Sequence, residues 1–335
     1  MTTIAHESQR RSWYRDLALV VLMVGVLLCT IRFNPFIHKN QTASQIAQSF
    51  ALAIGWPAFV VAAIERFRPS ASPRKSLQAV LVHIQIILFL STAGIFAGGG
   101  FGFLFVAIKK ASGIKTGLIN LETPLTSTVA IVLGFVGTLL VGDLVQYWAH
   151  RLQHKSKFLW QNHKIHHMDP VFDALTGPRQ NWTSFFVFFV LLEIPASFLF
   201  KFSDFDPGSL GLLNGAIVSL ILTYAYLTHS SLRIQFGWAS VLLLSTQTHR
   251  IHHSILPQHQ DKNFAQWFPI WDILFGTYYH PARDEFPPTG VAEEREIISL
   301  WESQVLTLRG WWNMFRAWRD HRRGPALGPI VARKQ

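Results

Sequence analysis

The sequence has little cysteine and little charge, and both shortages narrow the possible classes of protein. Cys29 is the single cysteine in 335 residues, which excludes a disulfide framework, cysteine-type zinc sites and iron–sulfur clusters held by thiolates. Charged residues make up only 15% of the chain and hydrophobic residues 50%, a balance that is rare in soluble proteins of this size. We therefore expect an integral membrane protein whose metal sites use nitrogen and oxygen ligands.

Several catalytic and binding motifs are also missing. No His-Glu-x-x-His motif of zinc peptidases occurs, because Arg151, Lys164 and Arg250 follow the first histidine of three histidine clusters. No Glu-x-x-His pair occurs either, which argues against a ferritin-like di-iron bundle. The net charge is +11, but the basic residues flank apolar runs and no nucleic-acid-binding motif is present. We therefore expect a membrane partner and no nucleic acid.

Long apolar runs predict an all-α, multi-pass bundle of about six transmembrane helices. The runs are Leu17–Ile31, Ile46–Ile64, a run from Leu77 to the glycines at 98–102, Thr128–Ala149, Ser184–Phe200 and Leu210–Thr228. The glycine run lacks the strand and the lysine of a nucleotide-binding loop, so we interpret it as a loose turn at the membrane surface. We divide the chain into N-terminal spans and loops (1–125), a catalytic domain (126–280) and a tail (281–335).

Histidines are concentrated at the ends of these runs. Nine of the 15 histidines fall into four clusters, namely His150 and His154; His163, His166 and His167; His229; and His249, His252 and His253. On a helix, residues three and four apart lie on one face, so each cluster directs its imidazoles together. Neutral imidazole is a common metal ligand, and nine exceed the needs of one four-coordinate ion. The sequence therefore predicts two metal ions in an all-histidine site.

The six-span topology places all four clusters on one side of the membrane. Most of the 30 lysines and arginines fall on the same side, and the positive-inside rule places it in the cytoplasm as a helical cap. Lys109, Lys110 and Lys115 lie on the opposite side and are an exception. Because no dilysine retention tail is visible, we expect a bacterial inner membrane. Residues 300–323 have a helical pattern that predicts a basic amphipathic helix, either on the membrane surface or docked on the protein.

Four segments and one isolated histidine resemble motifs of one enzyme superfamily. The segment from Asp143 through Tyr147 and Trp148 to His150-Arg151 resembles the lead-in to the first histidine box of the fatty acid hydroxylase/sterol desaturase superfamily. The second and last histidine clusters are similar to its later boxes, the isolated His229 matches its isolated histidine, and 271–277 resembles its closing signature.

This resemblance implies a cytoplasmic pair of iron ions (Fe2+/Fe3+) that uses O2 as co-substrate. It also implies hydroxylation or desaturation at an unactivated C–H bond of a sterol, fatty acyl or related lipid. Some members carry a further histidine at the position of Ala225, so water or Asn263 is expected to complete the metal ligands here. Other members cleave alkylglycerol ethers, and this reaction stays open as an alternative.

Three further residues are expected to orient the metal-binding histidines through hydrogen bonds, without binding metal themselves. Asp143 and Tyr147 share a helix face with His150, and Asp272 belongs to the closing signature; a metal-bound imidazole usually donates its other N–H to a carboxylate or carbonyl. His83, inside the third apolar run, is expected to be a packed histidine and not a ligand.

Electrons must come from another protein, because the chain has no dinucleotide, flavin or haem motif. A ferredoxin, a cytochrome or a flavodoxin is the expected type of donor. The competing hypothesis from another functional class is a membrane metal transporter, but transporters usually place their ligands near the midplane of the membrane. Ligands at one surface favour an enzyme.

Overall fold

The computed structural model describes residues 2–33, 60–65, 67, 74–112, 119–120, 128–195, 200–201, 220–292 and 294–322. These residues are predominantly helical. The helices are α1 (Thr2–Phe33), α2 (Leu77–Ser112), α3 (Thr128–Lys155), α4 (Lys157–His167), α5 (Thr183–Phe188), α6 (Thr246–His252), α7 (Ile270–Leu274) and α8 (Leu300–Arg322). Residues 60–65 and 220–228 are also helical.

Short irregular elements connect the helices. A π-helical turn, Phe189–Glu193, continues α5, and 3₁₀ turns occupy Ala174–Thr176, Gly237–Val241 and Pro257–His259. The two-residue strands β1 (Ile119–Asn120) and β2 (Phe200–Lys201) pair in parallel, with Ile119 opposite Phe200. The prediction of a helical protein is therefore confirmed, apart from this small pair of strands.

One described segment, Leu77–Gly94 in α2, is long and apolar enough to cross a membrane. The predicted spans at 46–64 and 210–228 lie largely outside the described residues, as does the end of the span predicted at 184–200. The six-span topology therefore stays a prediction.

The glycines at 98–102 do not form a turn, so that prediction was wrong. Helix α2 runs without a break from Leu77 to Ser112. A glycine lowers helix stability by about 1 kcal/mol relative to alanine, but it keeps both backbone hydrogen-bonding groups. In an apolar environment an unpaired N–H or C=O is more costly than this, which favours continuation of the helix.

Packing places the histidine-bearing helices between the other elements. Helix α1 packs against α2, α3 contacts α4, and α8 contacts both α4 and α2. Beneath α4, Ile165, Met168 and Ile297 form an apolar cluster. A second apolar cluster of Tyr147, Phe264 and Ala265 lies where α3 meets the segment before α7. These contacts connect α3 and α4 to the segments that follow the histidine clusters.

Helix α8 packs against α4, which is one of the two arrangements that the amphipathic pattern predicted. Thr307 donates a hydrogen bond to the carbonyl of Gln161 over 3.0 Å, and a side chain at position 310 in place of Gly310 would collide with Gln161. Trp301 and Trp312 are 73% and 54% exposed, so this docked helix also presents an aromatic face.

Candidate metal centre

The first two histidine clusters meet at the junction of α3 and α4. His150 and His154 lie in the last two turns of α3, and α4 carries the second cluster. Ser156 separates the helices: its hydroxyl accepts a hydrogen bond from the backbone N–H of Leu159 and caps the start of α4. This capped break lets the chain turn between the two helices, so that their imidazoles face each other.

The last cluster is held on the short helix α6. Ser245 caps this helix by accepting a hydrogen bond from the N–H of Thr248 at 3.1 Å. His249 and His252 lie in the helix and His253 immediately follows it. His229 directly follows the helical residues 220–228. The structure therefore brings all four clusters to one place.

The nine histidines form two groups in which the ligand nitrogens all lie within 4.8 Å of one another. The five-histidine group contains His150, His154, His163, His167 and His252, and the four-histidine group contains His166, His229, His249 and His253. Each of the two three-histidine clusters is thus divided between the groups. On α4, the i and i+4 positions His163 and His167 point to one group and His166 to the other.

The distances between ring nitrogens suit a shared ion in each group. In the five-histidine group, Nε2 of His163 lies 3.0 Å from Nε2 of His150 and 3.1 Å from Nε2 of His167. In the four-histidine group, Nε2 of His229 lies 3.1 Å from that of His166 and 2.9 Å from that of His249. Two nitrogens that bind one ion at about 2.1 Å are about 3.0–3.4 Å apart.

Burial keeps these imidazoles neutral. Eight of the nine histidines are buried and His154 is half-buried. Burial lowers the pKa of His150 and of His229 to about 4, and burial together with neighbouring imidazoles lowers the pKa of the other seven well below the usual value. Within the described part of the chain, the Nε2 atoms of His252 and His253 have no hydrogen-bond partner. Neutral, unpartnered imidazoles in a buried cluster have the donor chemistry that a transition-metal ion requires.

Backbone carbonyls fix the tautomer of three histidines. Nδ1 of His150 donates to the carbonyl of Phe264 at 2.8 Å, and Nδ1 of His252 donates to that of Lys262 at 2.8 Å. Nδ1 of His229 donates to the carbonyl of Ala225 at 2.7 Å. With the proton on Nδ1, Nε2 is left with its lone pair directed at the other histidines.

Asp143 and Asp272 accept hydrogen bonds from the loop that supplies the carbonyl of Phe264. Asp143 accepts hydrogen bonds from the backbone N–H groups of residues 266, 267 and 268 at 2.8–3.1 Å. Asp272 accepts from the N–H of Phe264 at 2.7 Å and of Ala265 at 2.9 Å. Neither carboxylate bonds to an imidazole in the described part of the chain. Both support His150 indirectly, by fixing the segment that contains Phe264.

Tyr147 and Asn263 belong to the same scaffold. The hydroxyl of Tyr147 lies 2.9 Å from that of Thr277, which in turn donates to Asp272 at 2.7 Å. The Asn263 amide donates to the carbonyls of Thr248 and Tyr279, each at 3.0 Å, and its oxygen accepts from the N–H of Tyr279. Asn263 has a φ of 56°, a conformation that asparagine tolerates well. These contacts give Asn263 a role in shaping the turn, and its role as a metal ligand stays a prediction.

Sequence reasoning missed a buried polar cluster beside the second histidine cluster. Asp169 accepts a hydrogen bond from Thr176 at 2.7 Å and pairs with Lys75 at 3.0 Å. Nε2 of His83 lies 3.0 Å from the same carboxylate, so His83 is packed outside both histidine groups, as expected. The position of Asp169 two residues after His167 was a weak signal. Two of its partners, Lys75 and His83, are more than 80 residues away in the chain, so spacing could not identify them.

Two cavities reach the histidines from different sides. The apolar cavity, of about 510 Å³, is lined by five of the histidines: His150, His163, His166, His229 and His249. Apolar side chains also line it, among them Leu139, Phe188, Leu192, Ile221 and Leu222. The polar cavity, of about 340 Å³, is lined by His154, Trp160, His167, His252, Ser254 and Asp261, among others. The apolar cavity has the composition of a lipid-binding site.

Comparison with known proteins gives the same family for this region. Residues 135–277 match the family model described as "Fatty acid hydroxylase". An alkylglycerol monooxygenase of Danio rerio is 28% identical over 195 residues, 58% of this chain and 40% of that protein. An ornithine lipid hydroxylase of Rhizobium tropici is 27% identical over 161 residues, which are 48% of this chain and 45% of the relative.

A methylsterol monooxygenase of Arabidopsis thaliana is 30% identical over 169 residues, 49% of this chain and 53% of the relative. The matched regions thus span about half or less of each relative's length. No solved structure matches the chain significantly. All nine clustered histidines fall within the matched segment, and residues 135–277 are therefore a fatty acid hydroxylase domain of the fatty acid hydroxylase/sterol desaturase superfamily.

Proposed function

We propose that this chain is a membrane-bound lipid monooxygenase in which the two histidine groups each hold one iron ion. The observation that carries the proposal is the contact between both groups and one apolar cavity. His150 and His163 of one group and His166, His229 and His249 of the other line the same cavity. A lipid chain in this cavity would therefore place a C–H bond close to both ions.

The iron ions, once bound, would supply the activation of O2. The overall reaction converts one C–H bond, O2, two electrons and two protons into a C–OH group and water. The protein residues bind the chain, exclude water with apolar side chains such as Leu192 and Phe188, and hold the imidazoles neutral by burial. The electrons would come from a separate ferredoxin, cytochrome or flavodoxin.

Alkylglycerol ether cleavage is the second candidate reaction, favoured by the similarity to alkylglycerol monooxygenases. Hydroxylation of the carbon next to an ether oxygen gives a hemiacetal, which separates into an aldehyde and an alcohol. Both candidates therefore share one oxidation step. Desaturation, which leaves no oxygen in the lipid, is less consistent with relatives that are named as hydroxylases and monooxygenases.

The remaining parts of the proposal concern location and organisation. We propose a multi-pass protein of the bacterial inner membrane with its histidines on the cytoplasmic side, where a soluble electron donor can reach them. The apolar α2 segment Leu77–Gly94 supports a membrane location. We also propose a catalytic unit at 126–280, preceded by membrane spans and followed by the tail that contains α8.

The test is oxygen labelling with the full chain in lipid nanodiscs, loaded with iron and supplied with a ferredoxin and its reductase. We expect two irons per chain and one atom of ¹⁸O from ¹⁸O2 in the lipid product, as an alcohol or as the aldehyde from an ether. His166→Ala should abolish the product. His280→Ala is the matched control, because His280 is exposed and outside both groups.

Two results would contradict the proposal. Iron content of one or none in a folded, active preparation would exclude the two-ion site. Metal uptake into vesicles without any oxidised lipid would favour a metal transporter.

A further inference from the structure

The lining of the apolar cavity changes in character along one face of α3. Leu139, Gln146, His150 and Gln153 line the cavity and follow one another along this face towards the C-terminal end of the helix. With a rise of 1.5 Å per residue, Leu139 is about 16 Å and Gln153 about 4.5 Å from His150 along the helix axis, in opposite directions. On this face His150 lies between Gln146 and Gln153, and Leu139 lies farther towards the N-terminal end of the helix.

Gln153 is a buried polar residue with an unused hydrogen-bonding atom. Its side chain lines the cavity and the residue is only 2% exposed. Among the residues that the structure describes, its Oε1 atom has no hydrogen-bond partner, and its Nε2 makes one long hydrogen bond, 3.4 Å, to the carbonyl of Ala149. A buried amide oxygen without a partner is costly, and such a group commonly has a functional explanation.

The polar groups of the cavity are suited to an uncharged ligand. Gln146, Gln153, Gln180 and Gln266 contribute neutral amides. The carboxylate of Asp143 also lines the cavity, but three backbone N–H groups already bond to it. Among the described lining residues there is no lysine or arginine, which a phosphate or carboxylate headgroup would need as a partner.

We propose that Gln153 is a substrate-binding residue whose Oε1 accepts a hydrogen bond from a hydroxyl group of an uncharged lipid. The inference rests on the proposed function and assigns its substrate class. With the hydroxyl-bearing end at Gln153 and the hydrocarbon chain directed towards Leu139, the C–H bond nearest His150 is close to the polar end. Oxidation therefore occurs within a few carbons of the headgroup and not at the far end of the chain.

Binding is measured first, because it needs no turnover. The full chain in nanodiscs is titrated with radiolabelled 1-O-hexadecylglycerol, and hexadecanoate and hexadecane serve as charged and apolar competitors of equal chain length. Gln153→Leu and the nearly isosteric Gln153→Met should weaken binding of the alkylglycerol about 10-fold, the usual effect of one buried hydrogen bond. Competition by hexadecane should change less than twofold, since it has no polar group.

Gln161→Leu is the matched control. The amide of Gln161 bonds to the carbonyl of Lys157 on its own helix, and Gln161 does not line the cavity. This variant should bind the alkylglycerol as the unmodified chain does. Equal affinity in both Gln153 variants, or tighter binding of hexadecanoate than of the alkylglycerol, would overturn the assignment of an uncharged lipid.

The position of oxidation gives a second, independent measurement. The iron-loaded chain should oxidise hexadecylglycerol next to the ether oxygen, and Gln153→Met should spread oxidation to other carbons. Oxidation at the chain terminus by the unmodified protein would contradict the proposed orientation while leaving lipid oxidation intact. Absence of any oxidised lipid, with the binding effect of Gln153 still present, would instead refute the proposed function and leave Gln153 as a binding residue.

Discussion

The two cavities on either side of the histidines differ in what they can admit. The apolar cavity is lined by histidines of both groups, whereas the histidines that line the polar cavity, His154, His167 and His252, all belong to the five-histidine group. In the proposed reaction the lipid would occupy the first cavity, and water or protons would use the second. On this proposal the hydrophobic and hydrophilic reactants reach the imidazoles through different cavities.

The largest loss of activity is expected when a single histidine that lines either cavity is replaced by alanine. His249 faces the apolar cavity and His252 the polar one, and they belong to different groups. Each alanine variant should abolish turnover and reduce the iron content, because each group would lose one ligand. Elemental analysis with a product assay measures both. Full activity in either variant would show that its group takes no part in the reaction.

Filling the apolar cavity should cause the next largest loss of turnover. A Cβ added at Gly142, which lines this cavity, meets no atom within 4 Å, so Gly142→Phe can place a ring in the lipid-binding space. Turnover of a long-chain lipid should fall about 100-fold, as for a displaced substrate, with the iron content unchanged.

Gly137→Phe is the control for this variant, because Gly137 is equally open but does not line the cavity. If both phenylalanine variants lose activity to the same degree, the loss reflects a perturbed α3. The apolar cavity would then not be the lipid site.

Weakening the loop that supports His150 should have a smaller effect. Asp272→Asn replaces one of the two acceptors for the N–H groups of Phe264 and Ala265 with a donor. Iron affinity and turnover should each fall about 10-fold, within the range for residues that orient metal ligands. Asp284→Asn, at an exposed position, should behave like the unmodified chain. Unchanged iron affinity in Asp272→Asn would mean that the loop does not hold the imidazole.

Acid should cause a gradual loss of stability in the metal-free protein. Burial lowers the pKa of His150 and of His229 to about 4 in the folded chain, against about 6.5 when unfolded. The unfolded chain therefore binds more protons between these values, and stability is lost as the pH falls from about 6.5 to about 4. Thermal unfolding across this range measures the effect, and a His229→Asn variant should show a weaker dependence on pH.

The sequence predicted those features of the site that depend on local spacing. The i, i+3 and i+4 positions of His163, His166 and His167 predicted a shared helix, and the structure places all three in α4. The carbonyl of Ala225, four residues before His229, was also accessible to this reasoning. The hydrogen bonds to the carbonyls of Phe264 and Lys262 could not be predicted in this way, because the loop conformation depends on distant partners such as Asp143.

The overall fold was less accessible to prediction than the site. Helix α2 continues through glycines that were expected to end it, because local propensity is weaker than the requirement for paired backbone groups in apolar surroundings. The way in which each three-histidine cluster is divided between two groups also could not be predicted, since spacing gives the relative directions of the side chains but not their partners.

The division of each three-histidine cluster between the two groups affects how the site would bind metal. Helix α4 supplies His163 and His167 to one group and His166 to the other, and residues 249–253 are shared in the same way. An ion that enters one group orders the same two segments that the second ion needs, so the second binds to a site whose conformational entropy has already been reduced. Metal loading should therefore be positively cooperative, with a sigmoidal titration in which chains holding a single ion are scarce.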